Sequence, residues 1–363
     1  MGDSLITKVR RKYRDLFIPW IMHFELTYRC NLHCQHCYVV PEKVEPELEY
    51  GEVIRIIQQI RELGTPAIAF SGGEIFLRND ILKILEFAAP NFILILLTNG
   101  TLITPEVASK LKKLRVAQVE VSLYAGRAQI HDKITGVAGS FDRTMNGLKA
   151  LKKEGIHTVI KCLVMKENIN EYAGLKKIAE SLQARLQVGW LIIPKTDGST
   201  KPLEYAVDDK DYDKYFSKWM DKKPDVEVER ETASNNFYFK GREPCTAGKS
   251  VCSISPYGIV HPCVTLPWNL GSLRKRSLKE IWLTDPCEKL KRLRALRISD
   301  FKQCSNCDIR SLCTPCLGKN YLDTGDILKC SADYCRQAHH FVRRLTQERR
   351  LDYEEKTIYS TGH

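Results

Sequence analysis

The 363-residue sequence has no long apolar run. Its longest uninterrupted apolar stretch, residues 92–97, falls far short of the ~20 residues that a membrane helix needs. It also has no secretory signal. The opening Met-Gly-Asp-Ser-Leu-Ile runs directly into Lys8, Arg10, Arg11 and Lys12, with no apolar core or cleavage site after it. Ile6 stands where a myristoylation motif on Gly2 would need Ser or Thr. A cytoplasmic location with no membrane partner is therefore expected. With 43% hydrophobic and 28% charged residues, the composition is not that of a disordered chain. Acidic residues are in deficit, 44 against 56 basic ones. The excess positive charge gathers at 8–14, 274–279, 289–297 and 343–350, which suits an acidic peptide or a carboxylate-rich substrate. No recognition module for nucleic acid accompanies it, so no nucleic-acid partner is expected.

Cysteine, by contrast, is plentiful, with 14 residues. In a chain of this size without a signal peptide, that number points to metal rather than disulfides. Cys162 and Cys287 stand alone and read as packed thiols. The other twelve form three groups: Cys30, Cys34 and Cys37; Cys245, Cys252 and Cys263; and Cys304, Cys307, Cys313, Cys316, Cys330 and Cys335.

Residues 19–194 alternate between strand and helix patterns. Strands are expected over 20–27, 67–70, 92–97, 116–123, 156–165 and 185–193. Helices are expected over 50–63, 80–87 (capped by Asn79), from Thr104-Pro105 onward, and over 142–154 and 169–182. Such alternation means parallel βα units, arranged as either a doubly wound sheet or an incomplete barrel. Polar and Gly-rich residues follow the strand ends, the edge on which both architectures build sites. Residues 195–244 read as a polar connector with an amphipathic helix near 208–220. Residues 245–335 are Cys-rich with turn signals, and 336–353 are helical and basic.

Cys30-Asn-Leu-His-Cys34-Gln-His-Cys37 follows the first strand directly. Three thiolates there could hold three irons of a [4Fe–4S] cluster and leave the fourth iron open. A closed zinc site would need a fourth ligand, and His33 or His36 could supply it. The Cys-x3-Cys-x2-Cys spacing after the first strand resembles the radical S-adenosylmethionine (SAM) family. So do Ser71-Gly72-Gly73-Glu74 after the second strand, Thr98-Asn99-Gly100 after the third, Ser122 in the fourth, and Ala138-Gly139-Ser140-Phe141.

This resemblance implies a partial (β/α)6 TIM-type barrel over 19–194, behind a basic extension at 1–18. It also implies SAM contacts from His36, Tyr38, Gly72, Gly73, Glu74, Thr98, Asn99 and Ser122, with the glycines letting backbone approach the SAM ammonium and Glu74 accepting from it. Thr135 stands where relatives carry an Arg for the SAM carboxylate, which leaves Lys133, Arg127 or Arg143 to substitute.

Cys245-x12-Gly258-x4-Cys263, followed by Cys304-x2-Cys307-x5-Cys313-x2-Cys316 and a gap to Cys335, resembles the SPASM extension of that family. It implies a small Cys-rich iron–sulfur domain over 245–335 with two auxiliary [4Fe–4S] clusters, and a helix and tail over 336–363. By position, Cys245, Cys252, Cys263 and Cys316 would hold one cluster. Cys304, Cys307, Cys313 and Cys335 would hold the other, with Cys330 left over or replacing one of these. A zinc site is the alternative, but the two Cys-x2-Cys pairs lie only five residues apart, against the usual ~15–20.

The resemblance further implies an electron from ferredoxin or flavodoxin, cleavage of SAM to a 5′-deoxyadenosyl radical, and removal of a substrate hydrogen. Relatives mostly modify ribosomally made peptides or proteins, by cross-linking, decarboxylation or oxidation. The segment before Cys30 is too short for the peptide-clamp domain of some relatives, so a separate leader-binding protein is expected. Two alternatives are decarboxylation of propionates on a haem-pathway tetrapyrrole and a non-enzymatic metal scaffold. Spacing singles out no carboxylate as the catalytic acid or base, and the auxiliary clusters could accept electrons, bind substrate or relay charge.

Overall fold

Each of the first five strands leads into a helix, and the strand that follows lies one place further along the same sheet. In the computed structural model, which describes residues 5–40, 46–220, 243–310 and 313–347, these strands are β1 Ile21–Thr27, β2 Ala67–Gly72, β3 Ile93–Thr98, β4 Gln118–Ser122, β5 Thr158–Leu163 and β6 Arg185–Gly189. All neighbouring pairs among them are parallel and in chain order. Winding that never reverses direction is that of a barrel rather than of a doubly wound sheet. The sheet also curves: the charges of Glu120 on β4 and Lys161 on β5 act on His23 on β1, although two strands lie between β1 and β4. These side chains therefore share one concave interior. This is the partial barrel that the family resemblance implies.

The convex face carries the core. Met22 and Phe24 of β1, Leu94 and Leu96 of β3, and Val119 and Val121 of β4 are buried against the surrounding helices. Helix Tyr50–Glu62 contributes Val53, Ile56, Ile57 and Ile60 at helical spacing. Burying four such side chains is worth roughly 6–12 kcal/mol before conformational entropy is subtracted. A reciprocal capping box between Glu49 and Glu52 starts this helix.

Three features differ from the sequence expectation. The residue that caps helix Ile81–Ala88 is Asp80, not Asn79, and it makes no side-chain cap bond, because its carboxylate is taken by Arg78 at 2.9 and 2.7 Å. Helix Ala128–Thr135 lies in a stretch for which no helix is expected, and its eight residues end in the left-handed Gly136. Most importantly, the Cys-rich half is built onto the barrel sheet. Strand β7, Val251–Ile254, pairs parallel with β1, setting Cys252 beside Met22. Strands β8 Ile259–His261 and β9 Gly271–Ser272 continue outward antiparallel, giving a nine-stranded sheet.

The expected N-terminal extension contains helix Leu5–Asp15. After it, the Phe17 carbonyl accepts a 2.6 Å bond from Trp282 Nε1, tying this segment to the Cys-rich half. The helix expected near 208–220 is Asp209–Met220, and the last described helix is Ala332–Gln347. Arg336 on the latter meets Asp209 on the former at 3.2 Å. Of the expected segments, 1–4 of the extension, 221–242 of the connector and 348–363 of the tail lie outside the described residues. Among the described residues, no helix is long and apolar enough to cross a membrane.

Candidate metal centres and cofactor site

The loop after β1 is held from both sides. His33 N–H donates to Thr135 O at 2.8 Å and Gln35 N–H to Ile134 O at 3.0 Å, so the end of helix Ala128–Thr135 fixes the stretch between Cys30 and Cys37. On the other side, Gly73 N–H donates to Thr27 O at 2.7 Å and Glu74 N–H to Arg29 O at 2.9 Å. This contact is what requires the glycines. A Cβ on Gly72 would sit 2.1 Å from Thr27 O, and one on Gly73 2.3 Å from Arg29 O. The two glycines thus make room for the backbone leading into the cysteine loop.

Cys30 and Cys37 are exposed and Cys34 is half-buried. Burial pushes the Cys34 thiol up to about 12, and the charges of Cys37 and Cys30 add to the effect. Three converging thiols that raise one another are a poor arrangement alone and a good one around a cationic iron–sulfur core.

Glu74 is wholly buried, with both oxygens engaged by the protein. Thr98 Oγ1 lies 2.8 Å from each, Asn99 N–H donates at 2.7 Å and Phe76 N–H at 3.1 Å. The carboxylate assigned to an ammonium by the family resemblance is here the brace between the ends of β2 and β3. Asn99 extends that brace through Nδ2, which donates to Asn31 Oδ1 at 2.8 Å and lies 3.9 Å from Cys30 Sγ.

His36 packs edge-on against Tyr124, with centroids 4.6 Å apart and Nε2 3.1 Å from the hydroxyl. Burial lowers its pKa to about 4, so the ring is neutral near pH 7, as stacking on an adenine would want. Ser122 hydrogen-bonds Tyr124. Tyr38 is half-buried, and desolvation of its hydroxyl, with the charges of Glu25, Cys37 and Cys263, holds it well above the usual phenol range. Of the cations offered for a SAM carboxylate, Arg127 is committed to Glu171, at 2.9 Å through Nε and 2.5 Å through Nη2.

In the Cys-rich half, Cys245, Cys263 and Cys316 act on one another electrostatically. Each sulfur also has a protein partner: Ala247 N–H at 3.4 Å, Thr265 Oγ1 at 3.2 Å and Lys319 N–H at 3.5 Å, respectively. Cys316 caps helix Leu317–Thr324. Gly318 lets this helix approach, since a Cβ there would lie 2.5 Å from Thr265 O. Cys252 feels the charge of Cys263 as well. It is fully buried in the main core with Trp282 and Leu290, while Cys245 and Cys263 pack against the separate core of Ala247, Leu266 and Phe301.

Cys304, Cys307, Cys313, Cys330 and Cys335 all line one cavity, with His339 and Tyr334. Cys330 Sγ lies 3.4 Å from Cys304 Sγ, and its hydrogen bond to Cys335 holds the Cys335 thiol down to about 7. Five thiols therefore surround a space where four would suffice.

Spacing did not reveal the residues of the barrel interior. Glu25, on β1, is 3% exposed and accepts from Tyr28 Oη at 2.9 Å. Burial pushes its pKa up to about 7, against the pull of the Tyr28 bond. Lys161 and Glu120 pair at 2.9 Å. Arg78, 7% exposed, donates to Leu26 O and Leu48 O at 2.9 and 3.0 Å while gripping Asp80. The only available signal was a charged residue at an inward position of an apolar strand.

The radical SAM superfamily profile matches residues 24–178, and the SPASM iron–sulfur cluster-binding domain matches 245–308; together they span more than half of the chain. The AdoMet-dependent heme synthase of Methanosarcina barkeri is 28% identical over 342 residues, covering 87% of this chain and 96% of the relative. The antilisterial bacteriocin subtilosin biosynthesis protein AlbA of Bacillus subtilis is 28% identical over 317 residues, covering 82% of this chain and 67% of the relative. The crystal structure of Streptococcus suis SuiB bound to the precursor peptide SuiA superposes with a TM-score of 0.69 at 16% identity, covering 92% of this chain and 82% of that one, a likeness of fold. The two domains imply a SAM-binding [4Fe–4S] cluster, auxiliary iron–sulfur clusters and SAM itself. A parallel barrel with a three-cysteine loop at its mouth, extended by a sheet-borne cysteine-rich half, thus makes this chain an enzyme of the radical SAM superfamily with a SPASM domain.

Proposed function

We propose that the enzyme modifies a ribosomally made peptide or protein, removing one hydrogen as an atom and a second as a proton and an electron. The observation that carries this reading is the barrel interior. It presents Glu25, whose carboxyl burial raises to about 7, and the mutually neutralising pair of Glu120 and Lys161. Such an interior carries little net charge and, among the described residues, offers no set of free cations to pair with the carboxylates of a tetracarboxylate macrocycle, which suits an uncharged peptide segment. In this reading Cys30, Cys34 and Cys37 ligate the SAM-binding cluster. His36, Tyr38, Gly72, Gly73, Glu74, Thr98, Asn99 and Ser122 form the walls around the cofactor. Cys245, Cys252, Cys263 and Cys316 serve one auxiliary cluster, and Cys304, Cys307, Cys313 and Cys335, with Cys330 adjoining, serve the other. When bound, SAM and its cluster supply the hydrogen-abstracting 5′-deoxyadenosyl radical. The chain fixes the loop, keeps the His36 ring neutral and excludes water. A ferredoxin or flavodoxin would supply the electron, and a leader-binding protein would present the peptide.

A second reading is favoured by the full-length likeness to the Methanosarcina barkeri heme synthase: oxidative decarboxylation of tetrapyrrole propionates. The test is anaerobic incubation of reconstituted enzyme, reductant and SAM with short candidate precursor peptides and, separately, with iron coproporphyrin. A peptide lighter by two hydrogens is expected. A porphyrin lighter by the elements of formic acid per side chain, with all peptides unchanged, would replace the first reading with the second.

A further inference from the structure

We propose that Glu25 is the group that takes the substrate's proton as the substrate's electron passes to the auxiliary cluster site. The inference rests on the peptide reading. Bound SAM accounts for one hydrogen, which leaves a carbon atom and ends in 5′-deoxyadenosine. Closing a new bond or double bond then releases a second hydrogen from the neighbouring atom. Its electron reduces an oxidised iron–sulfur cluster and its proton must go to a base. Oxidative decarboxylation of a propionate needs no such base, because the second fragment leaves as CO2.

The position of Glu25 meets the requirement. It stands on the concave face of β1, two residues before the strand ends and the loop bearing Cys30 begins, and pairs in register with Ser71 of β2. Tyr38 feels the charges of Glu25, Cys37 and Cys263 together, so the carboxyl lies by the same ring as one thiol of the loop after β1 and one of the Cys245, Cys263 and Cys316 group. Other carboxyls are occupied: Glu120 by Lys161, Glu74 by four hydrogen bonds, and Glu47 by the Thr27 hydroxyl and the Tyr28 N–H at 2.7–2.9 Å. Glu25 has a single neutral donor, Tyr28, and no ion-pair partner among the described residues. The titratable groups around it are Tyr28 and Tyr38. His23 lies lower on the same face, with Glu120 and Lys161 beyond it, and Tyr257 stacks edge-on against Tyr28. A carboxyl that burial holds near neutrality is matched to accepting and returning a proton at working pH.

The experiment needs no substrate. Auxiliary-cluster midpoint potentials of the reconstituted holoenzyme are measured by EPR-monitored redox titration from pH 6 to 8.5. Wild type should show a potential that falls as pH rises, by up to about 59 mV per unit where one proton accompanies one electron. Glu25→Gln should flatten that slope. Tyr28→Phe, which removes the bond holding the carboxyl down, should move the sloping range to higher pH, and it keeps the test alive if Glu25→Gln fails to fold. A flat wild-type profile, or a slope unchanged in both variants, overturns the proposal. Because no peptide or porphyrin is present, that failure is separate from a failure of the peptide reading in the mass measurement.

Discussion

At the scale of single residues, His131 shows how much a buried neutral ring constrains this site. It is wholly enclosed, and its Nδ1 accepts the Tyr124 backbone N–H at 3.2 Å. Its ring lies 5.7 Å from that of Tyr124, which in turn contacts His36. Burial lowers the His131 pKa from 6.5 to about 4. Between those values the unfolded chain binds a proton that the folded chain refuses, so stability is complete above pH 6.5 and falls as pH drops toward 4. The loss should approach about 1.4 kcal/mol per pH unit within that window. Urea midpoints of the anaerobic holoprotein should therefore decline from pH 6.5 to 4.5. His131→Asn, which keeps an acceptor for the Tyr124 N–H but cannot titrate, should make that decline shallower, leaving the part due to His36, and an identical acid limb in the variant would refute the assignment. Cysteines at this scale were legible because spacing alone brings them together. Glu25, Arg78 and His131 were not, because their roles arise from strands and helices far apart in sequence.

At the scale of elements, the contact between the glycine turn after β2 and the start of the cysteine loop sets the geometry of the mouth. A Cβ on Gly73 would meet a backbone oxygen at 2.3 Å, and backbone on both sides leaves nothing flexible to yield. Gly73→Ala should therefore cost at least about 1–3 kcal/mol, as overpacking does, and should displace the loop. The measurable outcome is loss of the SAM-induced change in the EPR spectrum of the reduced cluster at Cys30, Cys34 and Cys37, while the auxiliary signals persist. A normal SAM response in this variant would show that the turn does not position the loop. The six strands were readable from their apolar runs, and five of the barrel helices from their spacing. Helix Ala128–Thr135 was not: only two turns long, it is fixed by the Asp132 carboxylate, which accepts from Gly139 N–H, Ser140 Oγ and Phe141 N–H at 2.6–2.8 Å. Those are tertiary bonds, invisible to periodicity. The motif order identified the glycines, but not the close approach to Thr27 and Arg29 that they make possible.

At the scale of the whole molecule, the continuous sheet makes the two halves mutually dependent. Composition suggested a self-standing small domain over 245–335, because nothing in a Cys-rich sequence announces that one four-residue strand will pair with the first strand of a barrel. Yet β7 covers the edge of β1, Trp282 Nε1 binds the Phe17 carbonyl, and Arg294 lies over the Phe17 ring at 4.3 Å. Cutting the chain at residue 220 would strip β1 of β7 and leave an apolar strand edge open to pair with another chain. It would also expose one side of Met22 and Phe24, side chains now fully buried. The truncated barrel should therefore elute as soluble oligomers or precipitate, even with its three-cysteine loop intact and iron supplied. The full chain should reconstitute to roughly twelve irons if three four-iron clusters form. A monodisperse, monomeric truncated barrel that holds about four irons would mean that the shared sheet is dispensable and that the halves are independent after all. The strand that aims Cys30 at the mouth is the same strand against which the Cys-rich half is built.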